Sequence, residues 1–547
     1  MRIKIVMMCL SIITSLLSSI YYIYSVANEI IYIEIKVYFL TDRNYLNFRV
    51  PGTANRLDAK LDHGSESWQL PLEQNKNHVI WFIRRDLRLE NNRILATAAE
   101  KGSTVVPVFV QQESTEDGIN KKFNDFLLSG LNGLDAELEK LNSGVMFQSG
   151  DPVTIISALS RQLRAPVFVE EDYSPAFREL ASQLDQVVDL NIVRGLTIFH
   201  PSEVTRDSNN AFKVYSQFRK KWESLPRPEF PTTDPRSIRF IDRQAITPDP
   251  SLQKKPTLLT GQKKAKELFH TFLKSGEKIF DYGSNRSRVD YETTSRLSPF
   301  INLGMISVES IFQEARMLES DNELNDSERK SINVWLSELI WREFFQSSLF
   351  HFPQSVTNSL RPDLELIEWN SSETALHSWQ EGLTGYPIVD AAMRQLKQEG
   401  WIHNRLRMIV ASFLVKDLLI DWREGAKWFE KHLVDIETAA NVGGWQWTAG
   451  TGLDAAPYFR IFNPVIQGKK FDPNGEYVRT WIPELNKAAD KVVHEPWKTP
   501  VQVNYLPKTH ETDFPIIDHY EARRLAIDSF EKSRSTYKKS ESVLESH

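Results

Sequence analysis

Glu338, Trp341 and Arg342 stand at i, i+3 and i+4, the spacing that puts side chains on one face of a helix. A carboxylate, a flat aromatic ring and a guanidinium together suit a planar, hydrogen-bonding ligand such as a nucleobase. The same three residues would equally make a surface ion pair beside a core tryptophan. Asn404, Arg407 and Met408 repeat the spacing on a helix predicted over 401–422. Asp435 and Glu437 follow in a short acidic segment, and then comes Asn441-Val442-Gly443-Gly444-Trp445-Gln446-Trp447. Two glycines ahead of two tryptophans suit a tight backbone approach to a ligand plane, or a packing turn. Thr293-Thr294-Ser295-Arg296-Leu297-Ser298 offers hydroxyls, backbone N–H groups and one cation ahead of Pro299. Such a segment can hold phosphate oxygens at a helix start, or simply cap the helix.

Composition narrows the chemistry. A formal net charge of −6 rules out a generic nucleic-acid-coating protein, so any contact with DNA needs a local basic patch. The lone cysteine, Cys9, excludes a disulfide framework and a cysteine-based zinc site, and no metal centre is expected. With 41% hydrophobic and 25% charged residues, the chain can bury a sizeable core.

The elements that must position these residues fall into successive stretches. Residues 1–76 form an apolar extension in which Arg2 and Lys4 precede an apolar run to about Val26. It reads as a membrane anchor, a targeting segment or an over-extended start, and is set aside from the fold. From His78 apolar runs alternate with helical patterns. Strands are expected at 79–83, 104–110, 145–148, 166–170 and 187–193, with helices at 91–102, 121–141, 153–163 and 175–184 between them. That alternation predicts an α/β domain over 77–205, a parallel sheet covered on both faces. The first strand–helix turn reads Arg84-Arg85-Asp86-Leu87-Arg88 and lacks a glycine-rich phosphate cradle. A proline-rich linker is predicted over 206–262, a helical domain over 263–535 and a tail over 536–547. The charged segment 521–547 is expected to be a terminal helix that frays.

Longer motifs run through the helical half. Trp379-Gln380-Glu381-Gly382 leads into Thr384-Gly385-Tyr386-Pro387-Ile388-Val389-Asp390-Ala391-Ala392-Met393-Arg394-Gln395-Leu396, followed by Trp401-Ile402-His403-Asn404-Arg405-Leu406-Arg407-Met408. These closely resemble the DNA photolyase/cryptochrome family. The stretch from Trp445-Gln446-Trp447 through Asp454-Ala455-Ala456-Pro457-Tyr458-Phe459-Arg460 is similar to the bacterial class I cyclobutane-dimer photolyases. The likeness extends from about His78 to about Trp497. It implies an N-terminal Rossmann-like α/β antenna domain and an all-α C-terminal domain that holds FAD.

The resemblance also implies roles. Tyr282, Thr294, Ser295, Arg296, Leu297 and Ser298 would hold the FAD phosphates and ribityl chain. Trp335, Glu338, Asp435, Ile436 and Glu437 would line the flavin, Arg407 would pair with Asp435, and Asn441 would face the ring. Trp341, Trp447 and Met408 would wall the lesion pocket, while Glu338 and Asn404 would bond the thymine edges. Arg286, Arg342, Arg405 and Gln467 would contact the backbone of UV-damaged DNA. Trp445, Trp422 and Trp369 match the family's electron-hopping chain.

The resemblance thus implies a monomeric, cytoplasmic repair enzyme using reduced FAD, unless the N-terminal extension anchors it to a membrane. An antenna chromophore, methenyltetrahydrofolate or a deazaflavin, belongs to the same expectation. The 172–177 segment lacks the Asn-Glu pair of folate-binding relatives, so a deazaflavin, a flavin or no antenna stays open. The family normally carries Asp where this chain has Glu437. Photolyases for (6-4) lesions carry histidines where this chain has Asn404 and Met408, neither of which can donate the proton that reaction needs. Cyclobutane dimers are therefore the expected substrate. A cryptochrome-type photoreceptor is the alternative.

Overall fold

The computed structural model describes residues 77–101, 104–112, 120–207, 210–228, 234–246, 260–274, 278–498 and 515–545. The apolar extension lies outside them, as does the proline-rich stretch 247–259 of the expected linker.

Five short strands alternate with four helices: β1 His78–Phe82, α1 Arg93–Glu100, β2 Thr104–Gln111, α2 Lys121–Glu139, β3 Met146–Ser149, α3 Pro152–Leu163, β4 Val167–Glu170, α4 Pro175–Asp185 and β5 Leu190–Val193. All pairings are parallel, in the order β3-β2-β1-β4-β5. The near-continuous apolar runs arise because β1, β2 and β4 are covered on both faces. Each crossover helix starts on a capping side chain. Asn92, Asn120, Asp151 and Ser174 accept bonds from first-turn backbone N–H groups.

Helices then dominate the described residues: α5 Tyr215–Ser224, α6 Gln262–Lys274, α7 Lys278–Asn285, α8 Ser298–Asn302, α9 Val308–Glu319, α10 Asp326–His351, α11 Glu373–Glu381 and α12 Pro387–Glu399. They continue with α13 Asn404–Ser412, α14 Trp422–His432, α15 Thr438–Ala449, α16 Pro464–Phe471, α17 Glu476–Trp481 and α18 His519–Glu545. No described helix is long and apolar enough to cross a membrane.

Two expectations are corrected. The single helix over 401–422 is two helices. After α13 the chain makes a π-helical turn, Phe413–Asp417, takes a left-handed conformation at Leu419 (φ 52°), and restarts at Trp422 on the cap of Asp421. The break is buried although it carries Lys416 and Asp417, which bond the Ala449 carbonyl and His519. The 441–447 segment is the middle of α15, not a turn. There Gly443 lies against the ring of Phe345, and a Cβ on Gly443 would come within 2.3 Å of it. The terminal helix does form, and runs through Glu545.

One core joins the sheet to the helices, linking Val79, Leu87 and Phe126 to Trp222, Phe300, Met305 and Ile340. A second core lies within the helices around Trp379, Leu406, Phe413, Trp422 and Trp445. The charged turn after β1 docks against the end of α8. Leu87 N donates to Leu303 O (3.1 Å) and Arg88 Nη1 to Gly304 O (2.9 Å). Gly304 has φ +62°, and a Cβ there would sit 1.8 Å from the Arg85 carbonyl oxygen, so only glycine permits the approach.

Candidate cofactor and substrate site

The centre of the site is an ion pair. On α13 Arg407 donates to Asp435 Oδ2 at 2.7 Å and to the Ile402 carbonyl at 3.0 Å. The Asp435 carboxylate is 2% exposed, yet its Oδ1 has no partner among the described residues. Asn441, in the first turn of α15, donates through Nδ2 to Ala426 O (3.1 Å) and leaves Oδ1 buried and unpartnered. One turn further, Trp445 is buried with its Nε1 also unpartnered. Its indole lies over Gly425, where a Cβ would come within 2.1 Å of the ring, and packs edge-on against Phe429 at 5.0 Å. Buried polar atoms without partners are costly unless something else meets them.

A flavin ring carries both N–H donors and carbonyl acceptors, so these orphaned groups fit it. Arg407, Asp435, Asn441 and the backbone of Ile436 are the residues that would hold the ring. Trp335, stacked near Phe269 (5.9 Å) and Phe272 (5.4 Å), and Tyr282, edge-on to Phe272, form a buried aromatic group on α6, α7 and α10. Thr294 and Ser295 are half-buried, Leu297 is buried, and Arg296 and Ser298 are exposed. They lie in the approach to α8, and its Leu297 cap makes no side-chain bond. Arg296 pairs with Glu292 at 3.1 Å and covers Trp401, whose Nε1 reaches Ser298 Oγ at 3.4 Å.

The three residues first singled out on α10 make separate contacts within the protein. Glu338 pairs with Arg286, and burial raises its carboxyl pKa against the pull of that arginine. Trp341 stacks on Tyr215 with centroids 3.6 Å apart and planes 8° from parallel. Tyr215, from the expected linker, was not foreseen. It is held by a bond from its hydroxyl to Ser337 O (2.9 Å), and only its aromatic type in a polar stretch marked it in the sequence.

Arg342 points elsewhere. It is 12% exposed and donates to Glu437 (2.7 and 3.1 Å) and to Leu196 O (2.9 Å). Its guanidinium thus faces its own chain, a placement that its spacing to Glu338 did not foretell. Glu437 is 6% exposed, and its carboxylate is enclosed between Arg342 and Arg85. Burial alone would raise its pKa, but the two arginines hold it below the usual carboxylate value.

The outer rim carries the remaining residues. Asn404 is exposed at the start of α13, with Met408 half-buried one turn on. Arg405 covers Phe471 at 4.6 Å and donates to Ser287 Oγ at 2.9 Å. Trp447 and Gln467 are half-buried. His403 caps α13 by accepting the Arg405 N–H at 3.0 Å. Burial, with Arg405 and Arg407 nearby, pushes its pKa down to about 4. Of the outer tryptophans, Trp422 is buried at the head of α14, and half-buried Trp369 meets Phe530 of α18 edge-on at 6.1 Å.

Comparison with known proteins agrees with this layout. The family model for DNA photolyase matches residues 78–236, and that for the FAD binding domain of DNA photolyase matches 335–532. The deoxyribodipyrimidine photo-lyase of Escherichia coli is 36% identical over 480 residues, 84% of this chain and 99% of that one. A bacterial class III photolyase from Agrobacterium tumefaciens superposes with a TM-score of 0.73 at 33% identity, covering 84% of this chain and 98% of the other. A Synechocystis cryptochrome also gives 0.73, at 26% identity, covering 83% and 99%. The chain belongs to the DNA photolyase family, and its helical part carries that family's FAD-binding domain.

Proposed function

We propose that the protein repairs cyclobutane pyrimidine dimers in DNA in a light-dependent reaction, with reduced FAD as its resident cofactor. The reading is carried by the unpartnered buried atoms of Asp435, which Arg407 pairs, and of Asn441, with the exposed Asn404 and half-buried Arg405 on the same helix as Arg407. When bound, the reduced flavin supplies light absorption and an electron for the dimer.

The chain's own residues do the remainder. Arg407 sets a positive potential at the ring, and Asp435 fixes its orientation. The neutral amide of Asn441 adds no charge of its own. Trp341 on Tyr215, with Trp447 and Met408, gives a flat apolar wall for an extruded pyrimidine dimer, and extrusion costs only a few kcal/mol at a damaged step. Glu338 and Asn404 bond the pyrimidine edges. Arg286 and Arg405 neutralise phosphates, which makes binding salt-dependent. Trp445, Trp422 and Trp369 pass electrons inward from the surface.

A (6-4) substrate is disfavoured because the histidine nearest Asn404, His403, is held neutral and turned into the helix cap. The likeness to a cryptochrome gives the photoreceptor reading its one supporting observation. Reduced holoprotein under blue light, mixed with UV-irradiated oligothymidine, separates the two. Loss of dimers in the light, reduced about tenfold or more in Glu338→Ala by loss of a charge-assisted bond, is the expected result. A flavin photocycle with dimers intact would leave the photoreceptor reading in place.

A further inference from the structure

The turn after β1 carries no phosphate cradle, yet it reaches the rear of the cofactor site. Arg85 uses its whole fork there. Nε donates to Asn302 O (2.9 Å), Nη2 to Asn302 Oδ1 (2.7 Å) and to Glu437 Oε1, and Nη1 faces Asp172 Oδ2 at 3.4 Å. Asn302 in turn donates from Nδ2 to the Ile436 carbonyl at 2.8 Å. The peptide 435–437 is thus gripped twice, directly at the Glu437 carboxylate and through Asn302 at Ile436. Beyond Glu437 the chain enters α15 at once, since Asn441 N donates to Glu437 O at 2.8 Å. The Arg342 grip on the same carboxylate is itself tied to Leu196, just after β5. Both cations on Glu437 therefore depend on the sheet region.

We propose that Arg85 is a positioning residue for the flavin site, acting through Glu437 and Asn302 on the segment that bears Asp435, Ile436 and Asn441. The inference rests on reading 435–437 as flavin-lining. Four directed contacts from one planar fork are beyond lysine, whose ammonium is a single point. Removing the guanidinium leaves a buried carboxylate with one cation instead of two, so the site becomes more negative and electron gain by the flavin less favourable. The turn thereby links the sheet to the redox poise of a cofactor held by the helices.

The test uses purified holoprotein of the full chain and measures bound FAD, the fine structure of its absorption band and its midpoint potential. Arg85→Gln is expected to weaken FAD binding roughly tenfold, the cost of one unmade charge-assisted bond, and to lower the potential. Arg85→Lys should keep the charge but broaden the band. Arg93→Gln is the control, because Arg93 also pairs the two regions (Glu309, 3.3 Å) but away from Glu437. Arg85→Gln should cost less in the Glu437→Gln background than in the native protein, since part of its effect runs through that carboxylate and the rest through Asn302. Native flavin content, spectrum and potential in Arg85→Lys, or changes in Arg85→Gln no different from those in Arg93→Gln, would overturn the inference. If Arg85→Gln does not fold, the lysine variant decides. Failure of dimer repair in the native protein would strike the proposed function and leave these flavin measurements intact.

Discussion

The sheet region and the helical region treat buried polar groups differently. At the switch point of the sheet, between β1 and β4, Asp86 is fully buried and satisfied by its own neighbours, Trp81 Nε1 at 2.5 Å, Asn92 Nδ2 at 3.3 Å and Arg84 N at 3.2 Å. Open α/β sheets commonly bind ligands at that place; here protein side chains satisfy the carboxylate. Around α13 to α15 the reverse holds. Asp435, Asn441, Trp445, Trp422 and His403 each leave a buried polar atom without a partner. The sheet region has orphaned atoms too, on Arg84, Thr104, Gln111, Ser143 and Glu171, and the helices have others on Gln346 and His494, but the longest run lies between His403 and Thr451. The carboxylate at the switch point is completed by its own neighbours, whereas the groups around Asp435 are left for a ligand.

The contrast can be broken most forcefully with two alanine substitutions. Asp86→Ala should lower the stability of the flavin-free protein by about 3 kcal/mol, because several buried donors lose their acceptor together. Flavin bound by the folded fraction should keep its spectrum. Asp435→Ala should leave most of the flavin-free stability intact and lower FAD affinity tenfold or more, as Arg407 loses its orientation. Melting curves with and without FAD check both; equal losses in both measurements would erase the difference between the regions.

A smaller effect sharpens the helical side. Trp445→Phe should abolish light-driven reduction of oxidised flavin and spare repair by pre-reduced protein. Unchanged photoreduction would remove Trp445 from the electron path.

The smallest effect is on pH dependence. The pKa of His403 is depressed from 6.5 to about 4, so the unfolded chain binds more protons than the folded one between those values. Stability should fall by about 2 kcal/mol between pH 7 and pH 5. Denaturant titrations at pH 7 and pH 5 should show the fall, and His403→Asn should flatten it.

Much of the sheet was legible because its signals are local. Apolar runs, prolines at helix starts and the caps Asn92, Asp151 and Ser174 lie within a few residues of what they control. Residue types around the cofactor, Arg407 and Asp435 above all, were legible only through long motifs, since 28 positions separate those partners. The placement of Arg342 was hidden for the same reason. Its spacing to Glu338 is local, whereas its true partner Glu437 lies 95 residues away. The break after α13 stayed hidden because its polar residues are bonded to distant partners, Lys416 to the Ala449 carbonyl and Asp417 to His519.

That break has one more consequence. The π-helical turn at Phe413–Asp417 and the left-handed Leu419 are fastened by Asn370, which bonds the Leu418 and Leu419 carbonyls at 3.1 and 2.7 Å. A regular helix rotates by about 100° for each residue, so a deletion that straightened the wide turn would swing the following peptide by that angle. Residue count between Asn404 on the rim and Trp422 in the interior thus matters more than residue type, and the wide turn acts as an indexing notch between them.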